Sequence, residues 1–276
     1  MRVAGLADDH VHSCAGSIDA PASVLELCAS AVELRLARLC FTEHLDFLPA
    51  LPSYGYYQIT RVTRAIEEAR ARYGGVLEIR MGLEVEYESG YEAEIPGVLA
   101  GLPVDFILGA VHTFRGKHFI AYRDEGLCVL PPEELGELYR HYFAEYRRLL
   151  RAGLVDCLAH LDYPAKVGLR TADGAPAPGY AEELDETLAL AVTMGVGLEI
   201  NTGKTRVGGA LAAPEAAVRR YVALGGRILT LGSDTHRREH LADGLPLGRD
   251  VLRRAGLNYQ TVFRQRQAVC LPFHDE

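Results

Sequence analysis

"LADDHVHSCAGSID", residues 6–19, carries an apolar run straight into two histidines one residue apart. Side chains at i and i+2 of a strand share a face, so His10 and His12 can grip one ion if the run is extended. The pattern recurs. Seven short apolar runs, "RVAGLADDHVH", "LARLCFTEH", "LEIRMGLEVEY", "VDFILGAVH", "LVDCLAHLD", "VGLEINTG" and "RILTLGSDTH", each end in polar residues of the same kind. Their content of Val, Ile, Leu and Cys is that of strands buried on both faces.

Helical patterns fill several of the spaces between them. "SVLELCASAVELRL" opens with Ser23 and Glu26 in capping-box spacing. "ITRVTRAIEEARARYG" ends on glycine, and "PPEELGELYRHYFAEYRRLLRAG" begins with prolines and also ends on glycine. "YAEELDETLALAVTMG" and "APEAAVRRYVALGG" repeat the scheme. Strands alternating with helices imply parallel strands joined by crossover helices. Seven such units without a dividing linker predict an α/β fold, a closed or nearly closed (β/α) barrel occupying residues 1–276 as one domain. The loops over residues 45–57 and 166–180 are long for strand-helix connections and are expected to shape access to one end of the barrel.

Composition narrows the function. A formal net charge of −8 over 276 residues argues against a nucleic-acid backbone as main partner. No apolar run has the roughly 18 to 20 residues that span a bilayer, and no leader pattern opens the chain, so no membrane partner and a cytoplasmic location are expected. The six cysteines form no CxxC pair and are expected to be reduced. The chain shows no Gly-rich phosphate loop, GxSxG elbow or Rossmann fingerprint.

Functional groups of an α/β barrel gather where its strands end. Those ends offer His10 and His12, His44, Glu84, His112, His160, Glu199 with Asn201, and Asp234 with His236, which include six of the ten histidines. Asp234 and His236 repeat the i, i+2 spacing of His10 and His12. Asp8 shares the face of His10 and His12, where it can serve as a ligand or orient a ligand imidazole from behind. Imidazole and carboxylate without thiolate suit Zn, Fe or Mn. Six histidines with Glu84 and Asp234 exceed the needs of one ion, so two or three metal ions sharing a carboxylate are expected, as in sites that displace groups at phosphorus. Basic pairs follow four of the ends: Arg115 and Lys117, Lys166 and Arg170, Lys204 and Arg206, Arg237 and Arg238. In an acidic chain they point to a small anionic substrate.

In order, "DDHVH", "FTEH", "GLEVEY", "LGAVHTF", "LAHLDYP", "LEINTG" and "GSDTH" resemble the successive motifs of the PHP superfamily of metal-dependent phosphoesterases, named for polymerase and histidinol phosphatase. Within it, the chain most resembles the stand-alone histidinol-phosphatase branch, essentially end to end. The resemblance implies a distorted seven-stranded barrel with a trinuclear centre. The first ion would take His10, His12, Glu84 and Asp234, and Glu84 would bridge to a second held by His112 and His160. The third would take His44, His236 and one residue from the loop after His12. The family offers His or Asp about six residues after the second histidine, where this chain has Ile18, so Asp19 is the expected substitute.

The implied reaction is hydrolysis of L-histidinol phosphate to L-histidinol and phosphate, in histidine biosynthesis. Glu84, Asp234 and His236 are the candidate catalytic groups, Arg115, Lys117, Lys204 and Arg206 the candidate phosphate binders, and Glu199 and Asn201 the supports. Glu43, Asp46, Tyr54, Tyr56 and Tyr57 are candidates for the cationic amine and imidazole of the substrate. The segment after His112, "TFRGKHFIAYRDEG", departs from the Gly-Trp-rich family version. Another small phosphate or nucleotide is therefore the alternative substrate, and a non-catalytic metal-stabilised barrel the alternative class.

Overall fold

The computed structural model describes residues 3–49, 51, 53–203, 211 and 215–273. In chain order its first half comprises β1 (Ala7–Val11), α1 (Val24–Glu33), β2 (Arg38–Leu45), α2 (Ile59–Tyr73), β3 (Glu78–Glu86), α3 (Ile95–Leu99) and β4 (Phe106–Ala110). A small hairpin, β5 (Thr113–Phe114) and β6 (Lys117–His118), leads into α4 (Phe119–Asp124) and α5 (Pro132–Ala152). Then follow β7 (Cys157–Leu158), α6 (Tyr163–Lys166), α7 (Tyr180–Met194), β8 (Gly197–Asn201), α8 (Glu215–Ala223) and β9 (Leu229–Gly232). The last elements are α9 (Leu245–Arg254), β10 (Tyr259–Arg264) and β11 (Gln267–Pro272).

Seven parallel strands form one sheet in the order β1-β2-β3-β4-β7-β8-β9. Each coincides with one of the seven apolar runs, β2 extending one residue beyond its run, and side chains along them are buried on both faces, as the sequence composition requires. The sheet curls until its edges meet. His12 N donates to Thr235 O at 2.9 Å, and Val11 bridges Thr235 in parallel, so the barrel is nearly closed at the end where the histidines lie.

Helix α1 begins with the expected capping box. Ser23 Oγ accepts the Glu26 N–H at 3.3 Å, and the Glu26 carboxylate accepts the Ser23 N–H at 2.8 Å. That leaves Asp19 out of the cap. Pro132 opens α5 and Gly153, at φ 67°, ends it in the left-handed conformation.

The opposite end of the barrel is plugged by the β10–β11 hairpin. The Gln260 side chain pairs with both the N–H and the carbonyl of Ala7, at 3.2 and 3.0 Å. Arg38, almost wholly buried, donates to Asp9 at 2.8 Å and to Phe263 O at 2.7 Å. Phe263 stacks on Phe106 at 4.9 Å between ring centres. The six cysteines are free thiols. Among the described residues, no helix is long and apolar enough to cross a membrane.

Candidate metal centre

Register brings the polar groups together before any side chain bends. In the β2–β3 ladder, His44 lies directly opposite Glu84. On β1, a register shift between Asp8 and Val11 accompanies the turn of His10 and His12 toward the interior. Asp234 follows β9 at φ 52°, a region that L side chains seldom enter. Gly232, two residues earlier and the last of β9, permits the close approach of β1 and β8: a Cβ there would lie 2.3 Å from Glu199 Oε1 and 2.4 Å from His10 Cβ.

At the centre is Glu84, 2 % exposed. Its Oε2 lies 3.3 Å from His10 Nε2, 3.5 Å from His12 Nε2 and 3.1 Å from His44 Nδ1. Its Oε1 lies 2.6 Å from His160 Nε2 and 3.4 Å from His112 Nε2. Five imidazoles thus face one carboxylate. The imidazoles also face each other: Nε2 to Nε2 is 3.0 Å for His10 and His12, 3.1 Å for His112 and His160, and 3.4 Å for His44 and His236. Three groups have ligand atoms close enough to share an ion: His10, His12 and Asp234; Glu84, His112 and His160; His12, His44 and His236.

Asp19, half-exposed, closes the open side. Its oxygens lie 3.2 Å from His236 Nε2 and 3.7 Å from His44 Nε2. The two histidines draw the Asp19 pKa down to about 2 against the opposing effect of burial. Ile18 is exposed.

The outward-facing ring nitrogens test whether this set suits metal ions. His10 Nδ1 donates to Glu199 Oε1 at 2.5 Å, and His112 Nδ1 lies 2.5 Å from Glu86 Oε2 as an ion pair. His12 Nδ1 is 3.1 Å from Ser17 Oγ, whose own hydrogen goes to Glu43 at 2.7 Å. With Nδ1 held this way, each ring aims Nε2 at the centre, the arrangement that fixes metal-ligating histidines. Without ions the rings divide protons among themselves. Burial opposes charge on all of them. Glu199 and Glu84 nonetheless raise His10 to about 10, Glu86 and Glu84 raise His112 to about 10, and Glu84 raises His44 to about 9. Burial keeps His12 and His236 below the usual range and takes His160 down to about 3. Glu84 is held well below the carboxylate range, because the adjacent imidazoles, His10 foremost, overcome the effect of burial. The donor set fits divalent cations.

Glu199 and Asn201 support the centre from behind. Besides His10, Glu199 accepts the His160 N–H at 2.7 Å and Asn201 Nδ2 at 3.2 Å; Asn201 Nδ2 also reaches Asp234 at 3.1 Å. Asp8 does something else than expected. Its carboxylate, raised to about 6 by burial, accepts the N–H groups of Ser233 and Ala242 at 2.8 and 3.1 Å. It pins the backbone before Asp234 rather than orienting an imidazole.

A cavity of about 790 Å³ opens over the centre. His118, Tyr163, Lys166 and Asp46 are among its walls, and Lys117, Arg123, Asp124 and Glu125 also contribute. Lys166 contacts Asp234 through Nζ. His118 is driven down to about 3 by burial and by His112 and His44.

Several expectations need correcting. Arg115 does not line this cavity; the tight β5–β6 turn gives it φ 52° and turns it outward to pair with Glu137. Lys117 lines the cavity but is paired with Glu125 at 2.6 Å. Glu43 is fully buried beneath the centre, bound by Ser13 and Ser17, and is closed to a substrate amine. Tyr54 is exposed, Tyr56 lies under the Arg61 guanidinium and the Tyr57 hydroxyl is buried; none lines the cavity. Arg170 is also absent from its walls, and Arg238 turns to Ser30 on α1 at 2.6 Å. Lys204 and Arg206 lie outside the described residues. Glu86, Ser17 and His118 were not singled out from the sequence, although Glu86 repeats the i, i+2 spacing with Glu84.

Comparison with known proteins agrees with this geometry. The PHP domain matches residues 8–203. A protein of Deinococcus radiodurans named probable histidinol-phosphatase is 31% identical over 242 residues, covering 84% of this chain and 86% of that one. The histidinol-phosphatase of Lactococcus lactis is 25% identical over 270 residues, 92% of each. A crystal structure of the Lactococcus lactis histidinol phosphate phosphatase, in complex with Zn, L-histidinol and phosphate, shares the fold with a TM-score of 0.79 at 23% identity, covering 96% of this chain and 99% of that one.

Proposed function

The chain belongs to the PHP domain family, and from that premise we propose that it is a metal-dependent phosphomonoesterase converting L-histidinol phosphate to L-histidinol and phosphate. The observation that carries this reading is the convergence of five imidazoles on Glu84 at the floor of a cavity whose walls hold both cations and anions. The relatives named histidinol-phosphatase support the substrate.

His10, His12, Glu84 and Asp234 would hold one ion, Glu84, His112 and His160 a second, and His44, His236 and Asp19 a third. Such ions supply a low-pKa water and neutralise charge on the phosphoryl oxygens. The protein's own groups do the rest. Asp234 Oδ1 faces His10 and His12, at 3.7 Å from each Nε2, while Oδ2 takes Lys166 Nζ and Asn201 Nδ2. Lys166 and Asn201 fix the orientation of the Asp234 carboxylate, which would accept a proton from the attacking water. Lys166, beside it, is placed to neutralise a phosphoryl oxygen and to return a proton to the leaving alkoxide. Asp46 at the cavity wall suits the cationic amine of an amino-alcohol phosphate.

A panel of phosphomonoesters assayed with the metal-loaded protein tests the reading. Histidinol phosphate should show the highest kcat/KM. If a sugar or nucleotide phosphate matches it, the substrate assignment fails and only the broader phosphatase remains.

A further inference from the structure

We propose that His118 binds the phosphoryl group of the substrate, donating a hydrogen bond from Nε2 to one of its oxygens. This deepens the phosphatase reading and rests on it. His118 stands immediately before α4, and its Nδ1 accepts the Ile120 N–H at 3.1 Å. A ring nitrogen that accepts cannot carry a hydrogen, so the neutral imidazole keeps its hydrogen on Nε2. The helix cap therefore fixes the tautomer. Among the described residues no group takes the Nε2 hydrogen, and the half-buried ring lines the cavity.

Its neighbours say where that donor points. The His118 ring centre lies 5.5 Å from His112 and 6.3 Å from Tyr163. Tyr163 in turn stands 4.6 Å from both His112 and His160, with Lys166 Nζ 5.4 Å from its ring centre. One wall of the centre thus runs His118, Tyr163, Lys166, with a neutral N–H at one end and an ammonium at the other. A phosphoryl group seated over Glu84 meets both. The cations flanking His118 in sequence are already engaged, Lys117 with Glu125 at 2.6 Å and Arg123 with Asp124 at 3.0 Å. His118 is left as the donor that this segment offers, preoriented and charge-neutral.

Two substitutions separate the donor from the cap. His118→Asn keeps an acceptor for Ile120 N, as asparagine does at helix starts, and removes the reach into the cavity. His118→Gln extends an amide N–H toward the Nε2 position. The measurements are the inhibition constant of inorganic phosphate, kcat/KM for histidinol phosphate, bound metal and thermal midpoint. His118→Asn should weaken phosphate inhibition and lower kcat/KM by about ten- to hundredfold, the range for a hydrogen bond to a charged group. Metal content and midpoint should stay at wild-type values, and His118→Gln should recover most of the loss. The proposal is overturned if phosphate inhibition is unchanged in His118→Asn, even with a raised KM for histidinol phosphate. It is equally overturned if both variants lose metal together, which makes the ring a packing partner of His112. If the wild-type protein hydrolyses no phosphomonoester, the phosphatase reading falls instead, and calorimetric binding of inorganic phosphate to metal-loaded wild type and His118→Asn still decides the donor.

Discussion

Replacing Glu199 by glutamine probes whether the carboxylates behind the centre set its affinity for metal. The change preserves shape and removes one charge. Glu199 accepts three hydrogens, from His10 Nδ1 on Oε1 and from His160 N and Asn201 Nδ2 on Oε2. A glutamine can offer its oxygen to only one side. Turning the amide NH2 toward His160 and Asn201 sets it against two donors, so the oxygen stays there and the NH2 faces His10. His10 Nδ1 must then accept, which moves the ring hydrogen to Nε2, the nitrogen aimed at Glu84. Gly232 lies close to both Glu199 and the His10 Cβ, which limits the room for either to move away. Loss of such a partner lowers metal affinity about ten- to hundredfold, or about 1.4 to 2.7 kcal/mol. Chelator competition followed by metal analysis measures it directly. Glu199→Gln protein that folds and holds metal as tightly as wild type would refute the reasoning.

Metal uptake should release protons. Without ions His10 and His112 titrate at about 10 and His44 at about 9, so all three are protonated at neutral pH, whereas His12 and His160, shifted down, are not. Affinity should rise with pH up to that range, and calorimetry in buffers of different ionisation enthalpy counts the protons. Asp19→Ala should lower the metal stoichiometry at the His44–His236 side while leaving the ions at His10 and His160 in place; unchanged metal content would remove Asp19 from the centre. Gly16→Ala puts a Cβ 2.4 Å from the buried Glu43 side chain and should cost about 1 to 3 kcal/mol in urea unfolding. Gln260→Ala strips partners from both buried backbone groups of Ala7 at the far end of the barrel. It should lower stability by about 2 kcal/mol or more with kcat/KM unchanged.

The barrel and the convergence of its histidines were legible because strand period and strand ends are properties of neighbouring residues. An apolar run that stops at His10 or His160 states its own end. The direction of a side chain leaving a tight turn is not so stated. Arg115 follows a strand end closely, yet its left-handed backbone in the β5–β6 turn sends it away from the cavity. The β10–β11 hairpin was equally silent, since Gln265 and Arg266 take positive φ at its turn without the Asn-Gly signature of such turns. Glu43 read as a candidate for the substrate's cationic groups and proved to be a buried anchor, because only the approach of Gly16 and Ser17 shows which face of β2 it occupies. Glu86 was within reach of the reasoning applied to His10 and His12.

The pairing of Gln260 with Ala7 spans 253 positions of the chain. As the polypeptide leaves the ribosome, β1 is made first, yet its plug and its closing contact at Thr235 are made near the end. The ligand set around His10 and His12 is therefore complete only after the segment carrying Asp234 and His236 has been made. Closure of the barrel at Thr235 and assembly of the centre at Asp234 are thus one and the same event in the sequence.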